Sequence, residues 1–178
     1  MKRPLLLWFA LVAAALPSAA PAGTPETFVP RLHVAAGASL DRSALSVDAG
    51  VRWAPLAHLA LGVDLEFNPW IDLLSSSFAP GVLSLVGSGI YRWTQVEGVE
   101  LRTTVHLGTS LLLFSAVGAP MGSVGAYLGL GALSAAVRVA PSTWLEFKPD
   151  MVVPIPQLRG TPFAYRQYRL MVGLEWGP

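Results

Sequence analysis

Ten ionisable side chains recur on one parity of short alternating segments: Asp48, Arg52, Asp64, Glu66, Arg92, Glu100, Arg102, His106, Arg169 and Glu175. Acids and bases in near-equal number suit two chemistries. One is a relay for protons or ions; the other is mutual neutralisation in a place without water. An isolated ion in such a place is very costly, so a buried set of this kind must be paired. His106, Ser110 and Glu100 also share a parity, and serine, histidine and an acid are the components of a hydrolytic or acyl-transferring site. Residues four apart on a strand are separated by about 13 Å, too far to hydrogen-bond, so such a site needs a serine from another strand. His33 and His58 offer no metal-ligand spacing. The glycine-rich GLGAL at 129–133 lacks the strand–helix context of a phosphate-binding loop and reads as small residues that ease strand curvature. The sequence therefore predicts no catalytic residue, no metal and no cofactor.

The elements that carry these residues have a period of two. In LALGVDLEFN, Leu59, Leu61, Val63, Leu65 and Phe67 alternate with Ala60, Gly62, Asp64, Glu66 and Asn68. Wound as a helix the large residues would scatter; as a strand they share one face. LHVAAGASLD, LSVDAGVRW, VELRTTVHLGTSLLL and YRLMVGLEW repeat the pattern. Strands are predicted at 30–41, 44–54, 59–68, 81–93, 98–114, 123–139, 143–153 and 164–177. Each is near or above the roughly 9–11 residues that a tilted membrane strand needs. The connections at 54–58, 94–98 and 140–142 are short; those at 68–80, 115–122 and 154–163 are longer, while the one around DRSA is tight. Three stretches resist. The fourth strand alternates poorly, the sixth has large residues on both faces and calls for a bulge near Gly129 or Gly131, and Pro149 calls for a bulge or an early end in the seventh.

The apolar face of these strands carries almost nothing polar, whereas the other face holds Gly, Ser, Thr and the charges. That is the pattern of an inside-out barrel, with aliphatic side chains on lipid and a polar packed interior. Closure follows, because an open edge in hydrocarbon would leave backbone groups unpaired. In so narrow a barrel side chains fill the bore, so the charged set reads as a salt-bridged plug rather than an ion path. Trp53, Tyr91, Trp93 and Trp176 fall at one set of strand ends, and Phe67, Trp70, Phe114 and Tyr165 at the other, as two aromatic girdles should. A helical membrane protein is the rival reading, since no charge occurs between Arg102 and Arg138 or between Asp72 and Arg92. Pro120 and Gly118, Gly122, Gly125, Gly129 and Gly131 interrupt the first stretch, and Pro80 with Gly81 cuts the second. A soluble barrel is the third reading.

The start of the chain points to export. Lys2 and Arg3 precede an uncharged run from Leu5 to Leu16, and Ala20 and Ala22 stand as the small residues of a cleavage site. The expectation is a signal peptide over 1–22 read by the general secretory route, followed by one domain over 23–178. Its removal turns the formal charge from +1 to −1, with the charges dispersed, so nothing recruits nucleic acid. The chain contains no cysteine, which leaves no disulfide, no thiolate metal site and no lipid-modified cysteine.

With its export signal, eight alternating segments and a last strand ending on Trp176, the chain resembles the small bacterial outer-membrane barrels of the OmpA and OmpX kind. It departs from them in that Gly177 and Pro178 follow the terminal aromatic. The fold class predicted is all-β, a closed antiparallel up-and-down barrel of eight strands in the outer membrane of a Gram-negative-type envelope. Its partners would be outer-membrane lipid and the barrel-assembly machinery, with no nucleic acid and no particular extracellular ligand indicated. The role predicted is structural or surface-interacting. The alternatives are a lipid-modifying enzyme of the acyltransferase or deacylase type, or a narrow porin-like pore.

Overall fold

The computed structural model describes residues 29–41, 44–68, 81–96, 98–113, 123–158, 160–162, 164 and 166–177. Its elements are β1 (Arg31–Ser39), β2 (Leu45–Leu56), β3 (Leu59–Asn68), β4 (Gly81–Val96), β5 (Val99–Leu113), β6 (Ser123–Ala140), β7 (Thr143–Leu158), β8 (Thr161–Pro162) and β9 (Gln167–Trp176). Each long strand pairs antiparallel with the next. The last strand closes the ring: β9 lies against β7 on one side and β1 on the other, with Leu32 opposite Trp176 and Ser39 opposite Arg169. Eight strands thus form a closed antiparallel barrel, and β8 is a two-residue return that hairpins onto the end of β7. Gly160 makes that return with φ of +78°, a conformation that favours glycine.

The stretches open to the helical reading, 81–96, 99–113 and 123–140, are strands. Among the described residues no helix is long and apolar enough to cross a membrane, which leaves crossing by strands as it was. Two residues separate β2 from β3, β4 from β5, and β6 from β7. These tight turns lie at the end of the barrel that also receives the start of β1 and the end of β9; we call it the short-turn end. The strands reach further into the turns than their alternation predicts, because each carries a bulge there: between Trp53 and Leu56, between Arg92 and Thr94, and between Arg138 and Ala140. The connections at 69–80 and 114–122 lie outside the described residues.

β6 and β7 explain their own irregular sequences. Arg102 of β5 stands opposite Ser134 and Thr104 opposite Gly131, so Thr103 alone faces Ala132 and Leu133. This bulge, one residue beyond the predicted Gly131, reverses the parity of β6: Tyr127 and Gly131 face inward before it, Ser134 and Ala136 after it. Large residues on both faces of the sequence are therefore on one face of the strand. The same interruption runs between Leu130 and Ala135 in the ladder to β7, opposite the stretch that holds Pro149. The missing N–H of proline falls where pairing is already broken. β7 does not end there, as one of the two expectations had it; it continues to Leu158, so 154–158 belongs to a strand rather than a loop. Beyond Val152, which pairs with Gln167, β7 has no further β9 neighbour, which leaves room for Pro154 and Pro156.

Burial runs inside out. Leu65, Leu85, Val105, Leu107 and Leu128 are about half exposed, while Arg102, Arg169, Glu100, Glu146 and Glu175 are among the most buried side chains. A continuous apolar belt of this kind on the outside of a closed sheet is a surface for hydrocarbon, not water. Apolar packing inside is confined to small groups such as Val86, Tyr127 and Val152.

Candidate functional site in the barrel interior

Because inward positions recur every second residue on every strand, the interior collects polar side chains from the whole circumference. All ten ionisable residues singled out in the sequence are buried there. They form three groups along the bore.

Toward the end opposite the short turns, Arg169 of β9 is the hub. Its Nη1 and Nη2 donate to Glu66 at 2.7 and 2.8 Å, and its Nε donates to Asp150 at 2.7 Å. The Tyr127 hydroxyl and the Asn68 amide also donate to Glu66, at 2.8 and 2.6 Å, and Ser46 hydrogen-bonds Asn68. A planar guanidinium presents several donors in a fixed fork, so one arginine can hold two carboxylates at once.

In the middle, His33 Nδ1 lies 3.2 Å from Asp48 and 3.4 Å from Asp64, and Nε2 lies 3.6 Å from Glu146. Lys148 Nζ is 3.8 Å from both Asp48 and Asp150. The spacing rule applied to the sequence overlooked this: His33, Asp48 and Asp64 come from three neighbouring strands, and their ligating atoms fall within 4.8 Å of one another. That is a distance a cation would accept, and Lys148 already brings positive charge to Asp48. Gly173 keeps the space open, since a Cβ there would meet His33 Nε2 at 2.9 Å.

At the short-turn end, Arg102 donates to Glu100 at 2.6 Å and to Glu175 at 2.9 Å. Glu100 and Glu175 are thus the carboxylates that hold Arg102, whereas Asp64 and Glu66 are engaged elsewhere. Arg52 donates to Glu146 at 2.8 Å and to Glu175 at 3.2 Å; Arg31 reaches Glu175 at 3.1 Å, and Arg92 stands 3.6 Å from Glu100.

The serine from another strand that a hydrolytic site would need is present. Ser88 Oγ of β4 is 2.9 Å from His106 Nδ1 and 3.1 Å from Asp64, while Ser110 bonds the Ala126 carbonyl instead. The order is unlike that of a working triad, in which the acid holds the second imidazole nitrogen and the other nitrogen takes the serine proton. Here the acid accepts from the serine, and His106 Nε2 makes no hydrogen bond among the described residues.

Glu146, Lys148 and Asp150 of β7 complete the network, and sequence reasoning missed them. The signal was there: WLEFKPD places Glu146, Lys148 and Asp150 on one parity, like the charges of the other strands, but Pro149 drew the reading toward a broken strand.

No protein-family model matches the chain, and no curated protein matches its sequence. Solved structures do match its shape. Neisserial surface protein A superposes with a TM-score of 0.59 at 15% identity, covering 83% of this chain and 93% of that one. A de novo designed transmembrane β-barrel gives 0.52 at 15% identity, covering 88% of this chain and 99% of that one.

The chain has the fold of a small transmembrane β-barrel. As such a barrel it carries Trp53, Tyr91, Trp93 and Trp176 near its short-turn end, none of them fully buried. Tyr91 and Trp93 pack edge to face at 5.0 Å, and the Trp93 indole donates to Thr103 at 2.7 Å. Phe67, 37% exposed, sits near the opposite end; Trp70, Phe114 and Tyr165 lie outside the described residues. A second buried aromatic, Trp144, belongs to the interior and lies beneath the Arg138 guanidinium at 4.8 Å.

Proposed function

We propose that this barrel is an integral outer-membrane protein with a structural or surface-interaction role, its bore closed by paired side chains. The observation that carries the reading is the exchange of faces: ion pairs fill the inside while aliphatic side chains stand exposed outside. Arg169–Glu66, His33–Asp48 and Arg102–Glu175 contacts at successive levels of a narrow bore support the closed reading. The outer membrane is supported by the likeness to Neisserial surface protein A and by the export pattern over 1–22. Outer-membrane lipid and the barrel-assembly machinery are then its partners, and no catalytic step is assigned to it. Planar-bilayer recording of the refolded protein tests the closed bore. No stable open level is expected. Reproducible large steps altered by substituting Arg102 or Asp64 would favour a pore.

The Ser88–His106 contact supports one second reading, a lipid-modifying enzyme. Mass spectrometry of lipid A after incubation with the folded protein decides it. Unchanged lipid A is expected of a barrel with a structural role, and acyl loss that disappears in His106→Ala would identify an enzyme instead.

A further inference from the structure

Register brings side chains of three strands to one point in the middle of the bore. His33 of β1 stands opposite Gly50 of β2, and Gly50 stands opposite Asp64 of β3. With only a glycine between them, the imidazole and the carboxylate meet across the intervening strand; a Cβ on Gly50 would collide with Asp64 Oδ1. Asp48, two residues before Gly50 on β2, joins them from the same inward parity. Its Oδ1 lies 3.2 Å from His33 Nδ1, and Asp64 Oδ1 lies 3.4 Å from the same nitrogen.

His33 is 1% exposed, and its Nδ1 and both Oδ1 atoms make no hydrogen bond among the described residues. An imidazole nitrogen carries at most one proton, so Nδ1 can serve one carboxylate fully but not two. The far atom of each group, by contrast, is engaged. Ser88 donates to Asp64 Oδ2 at 3.1 Å, Lys148 Nζ stands 3.8 Å from Asp48 Oδ2, and Glu146 Oε2 lies 3.6 Å from His33 Nε2. Metal centres are supported in this way: partners on the far atoms fix the near ones, and a carboxylate on the second imidazole nitrogen orients the ring. The spacing fits as well. With metal–ligand bonds of about 2.0–2.2 Å, ligand atoms at tetrahedral angles stand about 3.3–3.5 Å apart.

We propose that His33 Nδ1, Asp48 Oδ1 and Asp64 Oδ1 form a buried site for one divalent first-row transition metal, with zinc as its probe. One imidazole nitrogen and two carboxylate oxygens suit such an ion better than magnesium, which prefers oxygen alone and gives up its water reluctantly. A water or a second carboxylate oxygen completes the shell. Bound, the ion ties β1, β2 and β3 together and compensates two carboxylates where bare charge is costly. The site goes beyond the closed-bore reading and does not rest on it.

The test refolds the full chain in octyl glucoside with zinc, with magnesium or with EDTA, so that the ion is available before the barrel closes. After gel filtration, bound metal is measured by inductively coupled plasma mass spectrometry and stability by urea unfolding. One zinc per barrel is expected, with a higher urea midpoint than in EDTA and no such effect of magnesium. Zinc content should fall by about tenfold or more in His33→Gln and in Asp64→Asn, each of which removes a ligand. It should not change in His58→Gln, whose exposed imidazole reports adventitious binding. Should neither ligand variant fold, cobalt(II) in the wild-type barrel decides. Intense visible bands of tetrahedral cobalt, present also in His58→Gln and bleached by zinc, support the site. Weak octahedral bands, a barrel without zinc, or zinc retained in a folded His33→Gln protein would overturn it and leave His33 as an imidazolium between two carboxylates.

Discussion

Arg169 shows how one side chain can organise the inside of a small barrel. It is buried, with Glu66 and Asp150 on its three nitrogens and the Tyr127 hydroxyl 3.3 Å away. Removing one member of such a set is more damaging than its net contribution suggests, because the partners stay behind as uncompensated charges. Arg169→Met, of similar length and more apolar, should destabilise the barrel by roughly 3–5 kcal/mol in urea unfolding. Adding Glu66→Gln and Asp150→Asn should recover part of the loss, since the stranded charges are then gone; no recovery would mean that packing, not charge, sets the cost. Gly173 tests the middle group: Gly173→Leu should push His33 out of its contacts and prevent folding, whereas Gly173→Ala should be milder, as judged by gel migration with and without boiling. Equal migration of the leucine variant and the wild type would show that the site is looser than a 2.9 Å approach implies.

Strands whose alternation is clean could be placed from sequence to within a few residues: β3 at 59–68 is unchanged, and β5 differs by one residue at each end. What sequence could not supply was register. A bulge adds one residue without changing composition, so the reversal of parity at Ala132–Leu133 was legible only as large residues on both faces. β4, uncharged until Arg92, carries Val82, Val86 and Ile90 inward, where an apolar side chain gives no sign of which face it occupies. The candidate site suffered in the same way. Its ten charges were readable as inward from parity alone, yet the convergence of His33 on Asp48 and Asp64 depends on pairing across three strands. Deleting Leu133 should remove the bulge and leave β6 alternating without a break, with Ala132 opposite Thr103 and Gly131, Ser134 and Ala136 all still inward. The prediction is that the boiling-sensitive compact species still forms. Its loss in the deletion variant would mean that the barrel needs the extra residue itself, for curvature and not for parity.

At the scale of the whole molecule two surfaces have exchanged their usual roles, and each makes a separate demand on the environment. The outer belt, with Leu107 60% exposed and Leu85 56% exposed, would be unstable in water as a monomer's surface. The ladder closes from β1 round to β9, and hydrocarbon requires such closure. Circular dichroism of the refolded protein in detergent should accordingly be of the β type, and a helical spectrum would be at odds with every strand described. With charges inside and lipid outside, two opposite substitutions on the same strand should both lower stability in urea unfolding from lipid vesicles. Leu107→Arg places a cation in the belt and should cost roughly 2–4 kcal/mol, the range for the midplane of a barrel. Arg102→Leu makes the protein more apolar yet strands Glu100 and Glu175, so it too should destabilise, by several kcal/mol. Loss in both variants is the predicted result. An Arg102→Leu protein as stable as the wild type would put that face in water and contradict the inside-out barrel.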